Sequence, residues 1–297
     1  MVKYTFLILA IIFSTTQSLA ETVSHKVEWT SNSNIRIVKE WSQSLNKVST
    51  VSSTTYIGRQ LKGEDKLHTF GHRSVIVWIP STTDLSKEFT MVLWFHGHWG
   101  YVPNRTFENR TLKQFVPLAE SKNFVVVIPE MPWSVHTKTP TKRNSLIWTK
   151  QGSFLKFVSE IESLLSRHNL KEIKNVKKTT KSLGKIDYRI VGHSAGGSTI
   201  KRLGITGDLC KLNPSLVVWS DSSYGMWLDD AWTGCLSKHP GIRVKVFVNS
   251  YGSPVRQAFR FIKTLKTKPK NLTIHVKKKG WSHKLIGDNI VKLSKLL

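Results

Sequence analysis

The chain has 297 residues, 39% of them hydrophobic, which suits one large α/β domain with a substantial core and excludes a disordered chain. Its 45 lysines and arginines against 19 acidic residues give a formal charge of +26, a balance that calls for anionic surroundings: an envelope polymer, anionic lipid or nucleic acid. The absence of any zinc-finger, basic-zipper or RNP pattern argues against nucleic acid.

Residues 1–20 read as an export signal, with Lys3, an apolar core from Phe6 to Phe13 and a small residue, Ala20, before a predicted cut at Glu21. That core is too short to span a bilayer, and no later apolar run is long enough, so a soluble periplasmic or secreted protein is expected. Residues 21–70 are polar and rich in Ser and Thr, with Trp29 and Trp41 as isolated apolar anchors; they read as an N-terminal extension or edge strands. The remaining 71–297 read as one domain. Strands are predicted over 73–80, 89–95, 124–129, 188–191, 215–220, 244–248 and 272–276, several as continuous apolar runs of the kind buried on both faces. Between them, 112–121, 255–267 and 285–297 read as helices, and Phe154, Phe157, Val158, Ile161, Leu164 and Leu165 trace one apolar helix face. This alternation predicts an α/β fold with a mainly parallel, doubly covered sheet.

Three strand ends carry the chemistry. Gly192-His193-Ser194-Ala195-Gly196 lies between a strand and a helix, the context in which G-x-S-x-G marks a nucleophilic serine exposed on a sharp turn. The 215–220 strand delivers Asp221, and the last strand is followed by Lys279-Gly280-Trp281-Ser282-His283. In that reading His283 takes the Ser194 proton and returns it to the leaving group, while Asp221 sets the imidazole tautomer. Upstream, the 89–95 strand ends in His96-Gly97-His98-Trp99-Gly100, an oxyanion loop whose N–H at His98, with Gly97 and Trp99 as neighbouring candidates, would converge with that of Ala195. His96 and His98 form an H-x-H pair, but the sequence places no third metal ligand, so no metal or organic cofactor is expected.

On these motifs the region from about Arg73 onward resembles the α/β-hydrolase superfamily. The 73–80 segment, the His-Gly strand and Gly192-His193-Ser194-Ala195-Gly196-Gly197 are similar to those of secreted serine esterases of the feruloyl-esterase and polyhydroxyalkanoate-depolymerase type. In many such enzymes the acid follows the next strand, but here 244–248 is followed by Asn249-Ser250-Tyr251-Gly252-Ser253-Pro254 with no carboxylate. Other members carry the acid one strand earlier, where Asp221 lies. Asp208 reads as a turn residue, Asp229 and Asp230 as loop caps, and Glu130 as a pocket-lining group.

Cys210 and Cys235, an even pair in an exported chain, are expected to form a disulfide around the Asp221 loop. Trp99, Trp133, Tyr224 and Trp281 are candidate substrate-binding aromatics near strand ends, where a cleft would open, although rim packing accounts for them equally. Asn104, Asn109 and Asn271 begin N-x-T sequons. The reading is therefore an exported hydrolase of small or polymeric esters. Its alternatives are a peptidoglycan-directed peptidase or amidase with the same triad, or a non-catalytic binder of anionic polymer on this scaffold. Oligomeric state is not legible.

Overall fold

The apolar runs become neighbouring strands of one nine-stranded sheet. The computed structural model describes residues 75–80, 82–98, 110–129, 131, 148, 150–172, 182–267 and 269–297, and the backbone of two earlier strands. The 1–20 signal reading and most of 21–70 lie outside the described residues. In chain order the elements are β1 (Val23–Trp29), β2 (Ile35–Lys39), β3 (Val75–Ile79), β4 (Phe89–Phe95), β5 (Phe124–Pro129), α1 (Ser153–Glu172), β6 (Ile186–His193), α2 (Gly196–Thr206), α3 (Asp208–Leu212), β7 (Leu216–Ser220), α4 (Trp227–Gly234), β8 (Arg243–Val248), α5 (Ser253–Thr264), β9 (Leu272–Val276), α6 (His283–Asp288) and α7 (Ile290–Ser294).

The sheet order is β2-β1-β3-β5-β4-β6-β7-β8-β9. Strands β4 to β9 pair in parallel, whereas β1, β2 and β3 join antiparallel on one side. This mostly parallel sheet, crossed over at β5-β4-β6 and wrapped by helices, is the α/β-hydrolase fold. Alternation along β4 divides its buried side chains between two layers. Met91, Leu93 and Phe95 meet the predicted α1 stripe, all six residues of which are buried, while Val92 and Trp94 pack with Phe115, Phe124, Ile286 and Ile290 on the other face. Both faces are covered there, which is why β3 and β5 are apolar throughout and β4 nearly so.

Two predicted helices take other forms. Over 112–121 the chain makes two short 3-10 turns, Leu112–Gln114 and Val116–Leu118, because Pro117 lacks an N–H and cannot continue an α-helix started before it. Over 285–297 there are two short helices, α6 and α7, broken at Asn289. The Gln114 side chain serves the break, donating to the Gly287 carbonyl at 2.9 Å and accepting from the Val291 N–H at 3.2 Å. Asp208, read from sequence as a turn residue, is instead fully buried at the start of α3. Its carboxylate accepts from the backbone N–H groups of Gly152 and Phe154, at 2.7 and 3.2 Å, and so caps α1 from a distant part of the chain. Cys210 and Cys235 are bonded, tying α3 to the end of α4 around the β7 strand.

Candidate active site

Ser194 stands one residue beyond β6 with φ of 54°, a left-handed conformation that costs a non-glycine residue about 1–2 kcal/mol. Two features hold it there. Its N–H donates to the Ser220 carbonyl at 3.1 Å, one last ladder bond to β7, and the helix that follows packs directly on β4. A Cβ on Gly196 would lie 2.1 Å from the Phe95 carbonyl oxygen, so only glycine permits that approach.

Asp221 repeats the arrangement on the next strand. It follows β7 with φ of 48°, and its N–H donates to the Phe247 carbonyl of β8 at 2.7 Å. Its carboxylate is fully buried and takes three hydrogen bonds. One oxygen accepts from the Asn249 N–H at 3.0 Å; the other accepts from Asn249 Nδ2 at 2.9 Å and from His283 Nδ1 at 2.7 Å. With the carboxylate as acceptor, His283 donates from Nδ1, which turns Nε2 away from Asp221. The His283 side chain is 39% exposed.

A second histidine lies behind the first. The rings of His193 and His283 stack with centroids 4.6 Å apart. His193 Nδ1 is 2.9 Å from the Ser220 carbonyl oxygen, to which it donates, and Gly287 lies against the ring so closely that a Cβ there would be 2.6 Å from Cε1. Burial, aided by the neighbouring His283, pushes the His193 imidazole down to about 4, so it is neutral across the physiological range.

The loop after β4 closes on the serine. A Cβ on Gly97 would lie 2.6 Å from Ser194 Cβ and 3.1 Å from Oγ, so the glycine is what lets this backbone reach the hydroxyl. Buried His96 bonds on both ring nitrogens: Nδ1 is 2.8 Å from the Gly97 carbonyl oxygen and Nε2 accepts from the Met131 N–H at 3.0 Å. His96 thus fixes the peptide joining Gly97 to His98, and His98 itself is exposed. Ala195 opens α2, where an α-helix leaves backbone N–H groups without intrahelical acceptors. Among the described residues no group of three His, Cys, Asp or Glu side chains could hold a metal ion.

Of the candidate aromatics, Tyr224 faces the cluster: burial and the Asp221 charge push its phenol above the usual tyrosine range, while its contact with Ser194 works the other way. Trp281 is half-buried against the layer containing Ile286, with the Lys277 ammonium 5.0 Å from its ring centroid. Trp99, Trp133 and Glu130 lie outside the described residues. Asp229 bonds Arg260 at 2.8 Å and Asp230 bonds Lys201 at 2.9 Å, so both are engaged away from His283. Sequence reasoning passed over Asn249 and His193. Asn249 was visible only as the missing carboxylate after β8, and His193 only as the variable position of the serine motif.

No family model matches the chain, and no curated protein does either. Solved structures similar to it include a ferulic acid esterase at 11% identity, covering 75% of this chain and 90% of that one with a TM-score of 0.48. Another is a serine-to-alanine mutant of the feruloyl esterase module from Clostridium thermocellum complexed with sinapinate, at 14% identity, covering 73% and 82% with a TM-score of 0.45. A third is esterase B from Lactobacillus rhamnosis inhibited by a tributyrin phosphonate, at 13% identity, covering 75% and 79% with a TM-score of 0.38.

Proposed function

We propose that this protein is an exported serine hydrolase that cleaves a carboxylic ester through an acyl-enzyme on Ser194. The observation that carries the reading is the 2.7 Å bond between His283 Nδ1 and the buried Asp221 carboxylate, on the strand next to the serine turn. In this mechanism His283 Nε2 removes the Ser194 hydroxyl proton as Oγ attacks the ester carbonyl. The N–H groups of His98 and Ala195 stabilise the oxyanion, aided by the Gly97 loop that His96 orients. Collapse expels the alcohol, which takes the proton from His283. Water, deprotonated by the same nitrogen, then releases the acid and restores the serine. Asp221 stabilises the imidazolium at both steps, and the neutral His193 ring supports it without adding a second positive charge. Tyr224 borders the entering substrate.

Export is supported by the apolar leader and by the Cys210–Cys235 bond, which suits an oxidising compartment. The +26 balance supports retention on an anionic surface, by lysines that take no part in the chemistry. The test is labelling with a fluorophosphonate probe together with turnover of p-nitrophenyl esters. Wild type should label and turn over, Ser194→Ala should do neither, and full activity in Ser194→Ala on every cleaved substrate would overturn the mechanism. Faster release of amine from defined amides than of alcohol from esters would move the substrate class to peptides. Failure to label at all would leave only a binding role for the scaffold.

A further inference from the structure

From Ala231 to the C-terminus the only acidic residue is Asp288, and this stretch builds one side of the molecule: β8, α5, β9, α6 and α7. Helix α5 buries Pro254, Val255, Ala258 and Phe261. One flank faces α4, where Phe261 meets Trp232 edge-on at 5.8 Å and Arg260 bonds Asp229. The opposite flank carries Phe259 and Ile262, one helical turn apart and 49% and 37% exposed. Beside them Arg256, Lys263 and Lys266 are exposed.

Strand β9 ends the sheet on this side. Its Ile274 packs against the core layer that includes Phe261, so Val276, two residues on, shares the face that α5 covers, and it is 42% exposed. Lys277 turns its ammonium to the other face of the sheet, 5.6 Å from the Phe247 ring centroid, and Lys278 and Lys279 are exposed beyond it. The flank therefore joins large apolar side chains in water to a border of one-signed charge. A solvated lysine face has no need of the apolar groups, and a soluble polyanion would make little use of them. A bilayer with anionic headgroups matches both: charge draws the helix to the surface, and the apolar side chains enter the headgroup boundary.

We propose that the α5–β9 flank, with Phe259, Ile262 and Val276 bordered by Arg256, Lys263 and Lys266, seats the protein on an anionic lipid bilayer. This rests on the reading of the basic surface as an anionic-surface anchor and is independent of the triad. The test is flotation of the mature protein with vesicles of phosphatidylglycerol and phosphatidylcholine, against vesicles of phosphatidylcholine alone and against dextran sulfate. Wild type should bind the anionic vesicles and not the neutral ones. Phe259→Ser with Ile262→Ser should weaken vesicle binding at least about tenfold while leaving dextran sulfate binding and p-nitrophenyl acetate turnover unchanged. Lys263→Gln with Lys266→Gln should weaken both associations and lower the dependence of vesicle binding on salt. The substituted side chains are exposed, so the variants should melt with the wild type. Wild-type vesicle binding by the Phe259/Ile262 variant, binding to dextran sulfate without binding to vesicles, or no vesicle binding at low salt would each overturn the proposal. Loss of fluorophosphonate labelling with vesicle binding intact would overturn only the hydrolase reading.

Discussion

Replacing Asp221 by Asn changes almost no volume but makes its three hydrogen bonds mutually inconsistent. One carboxylate oxygen serves the Asn249 N–H; the other serves both Asn249 Nδ2 and His283 Nδ1. An amide has a single oxygen. Turned toward Asn249 N–H, it sets its own NH2 against two donors, and His283 escapes the clash by moving its proton to Nε2, the nitrogen that accepts from Ser194 in the proposed mechanism. Turned the other way, it leaves a buried N–H facing an N–H, a cost of about 1–3 kcal/mol. The first state holds the wrong tautomer and the second strains the loop, and neither carries the negative charge that stabilises imidazolium. The expected fall in kcat is about 10³ to 10⁴, or roughly 4–5.5 kcal/mol of barrier, with little change in KM. It is read from p-nitrophenyl ester kinetics, with fluorophosphonate labelling slowed in parallel. Near-wild-type turnover in Asp221→Asn, or essential roles for Asp229 or Asp230, would refute the reasoning.

The other expectations follow from the same contacts. Ser194→Ala and His283→Ala should each abolish turnover in a folded protein, and the double variant should be little worse in steady-state assays, since members of one mechanism are not additive. Asn249→Ala removes one of the two bonds by which Asn249 aims the Asp221 carboxylate, and the acceptor of the Tyr251 N–H, and should lower kcat about tenfold with a modest fall in melting temperature, because its N–H bond to the carboxylate survives. Reducing Cys210–Cys235 should cost about 2–4 kcal/mol in urea titrations; two free thiols in denatured, non-reduced protein from its native compartment would contradict the bond. His193 sits near 4 when folded and near the ordinary 6.5 when unfolded, so the unfolded chain takes up the proton first. Its contribution is complete above pH 6.5 and is lost as pH falls toward 4, by about 3 kcal/mol. Urea midpoints at pH 7 and 4.5 should show that loss in the wild type and less of it in His193→Gln.

Much of the fold is legible because its strands are buried on both faces. Runs such as Phe89–Phe95 and Phe124–Pro129 have no polar alternative, and the α1 stripe from Phe154 to Leu165 declares its inner face. What was misread depends on partners far away in sequence. The 112–121 segment has helical content but is divided by Pro117, and the C-terminal helix is interrupted where Gly287 must lie against His193 and Gln114 replaces helical bonds. Asp208 looks like any residue after a glycine until α1 is docked on it. The candidate site divides in the same way. Ser194, Asp221 and His283 stand out because each follows a strand, whereas Asn249 and His193 acquire their contacts only once β6, β7 and β8 lie side by side.

That side-by-side arrangement explains why two left-handed residues recur at the carboxyl ends of neighbouring strands. His193 and Ser220 are register partners, as are Ser220 and Phe247, so Ser194 and Asp221 are the next residues on adjoining parallel strands. Each makes one more ladder bond, to Ser220 and Phe247 respectively, and then turns at positive φ. Their spacing is thus set by the hydrogen-bond register of a buried sheet. His283 has no such guarantee. It enters from a loop beyond β9 that turns at Gly280, with φ of 100°, and starts α6 under a Ser282 cap that accepts from the Leu285 N–H at 3.2 Å. Lys277 over Trp281, the stack on His193 and the bond to Asp221 are what bring its imidazole to the sheet. Substitutions in that loop should therefore alter turnover while Ser194 and Asp221 stay in register, and the same charge-rich loop adjoins the flank assigned to the bilayer.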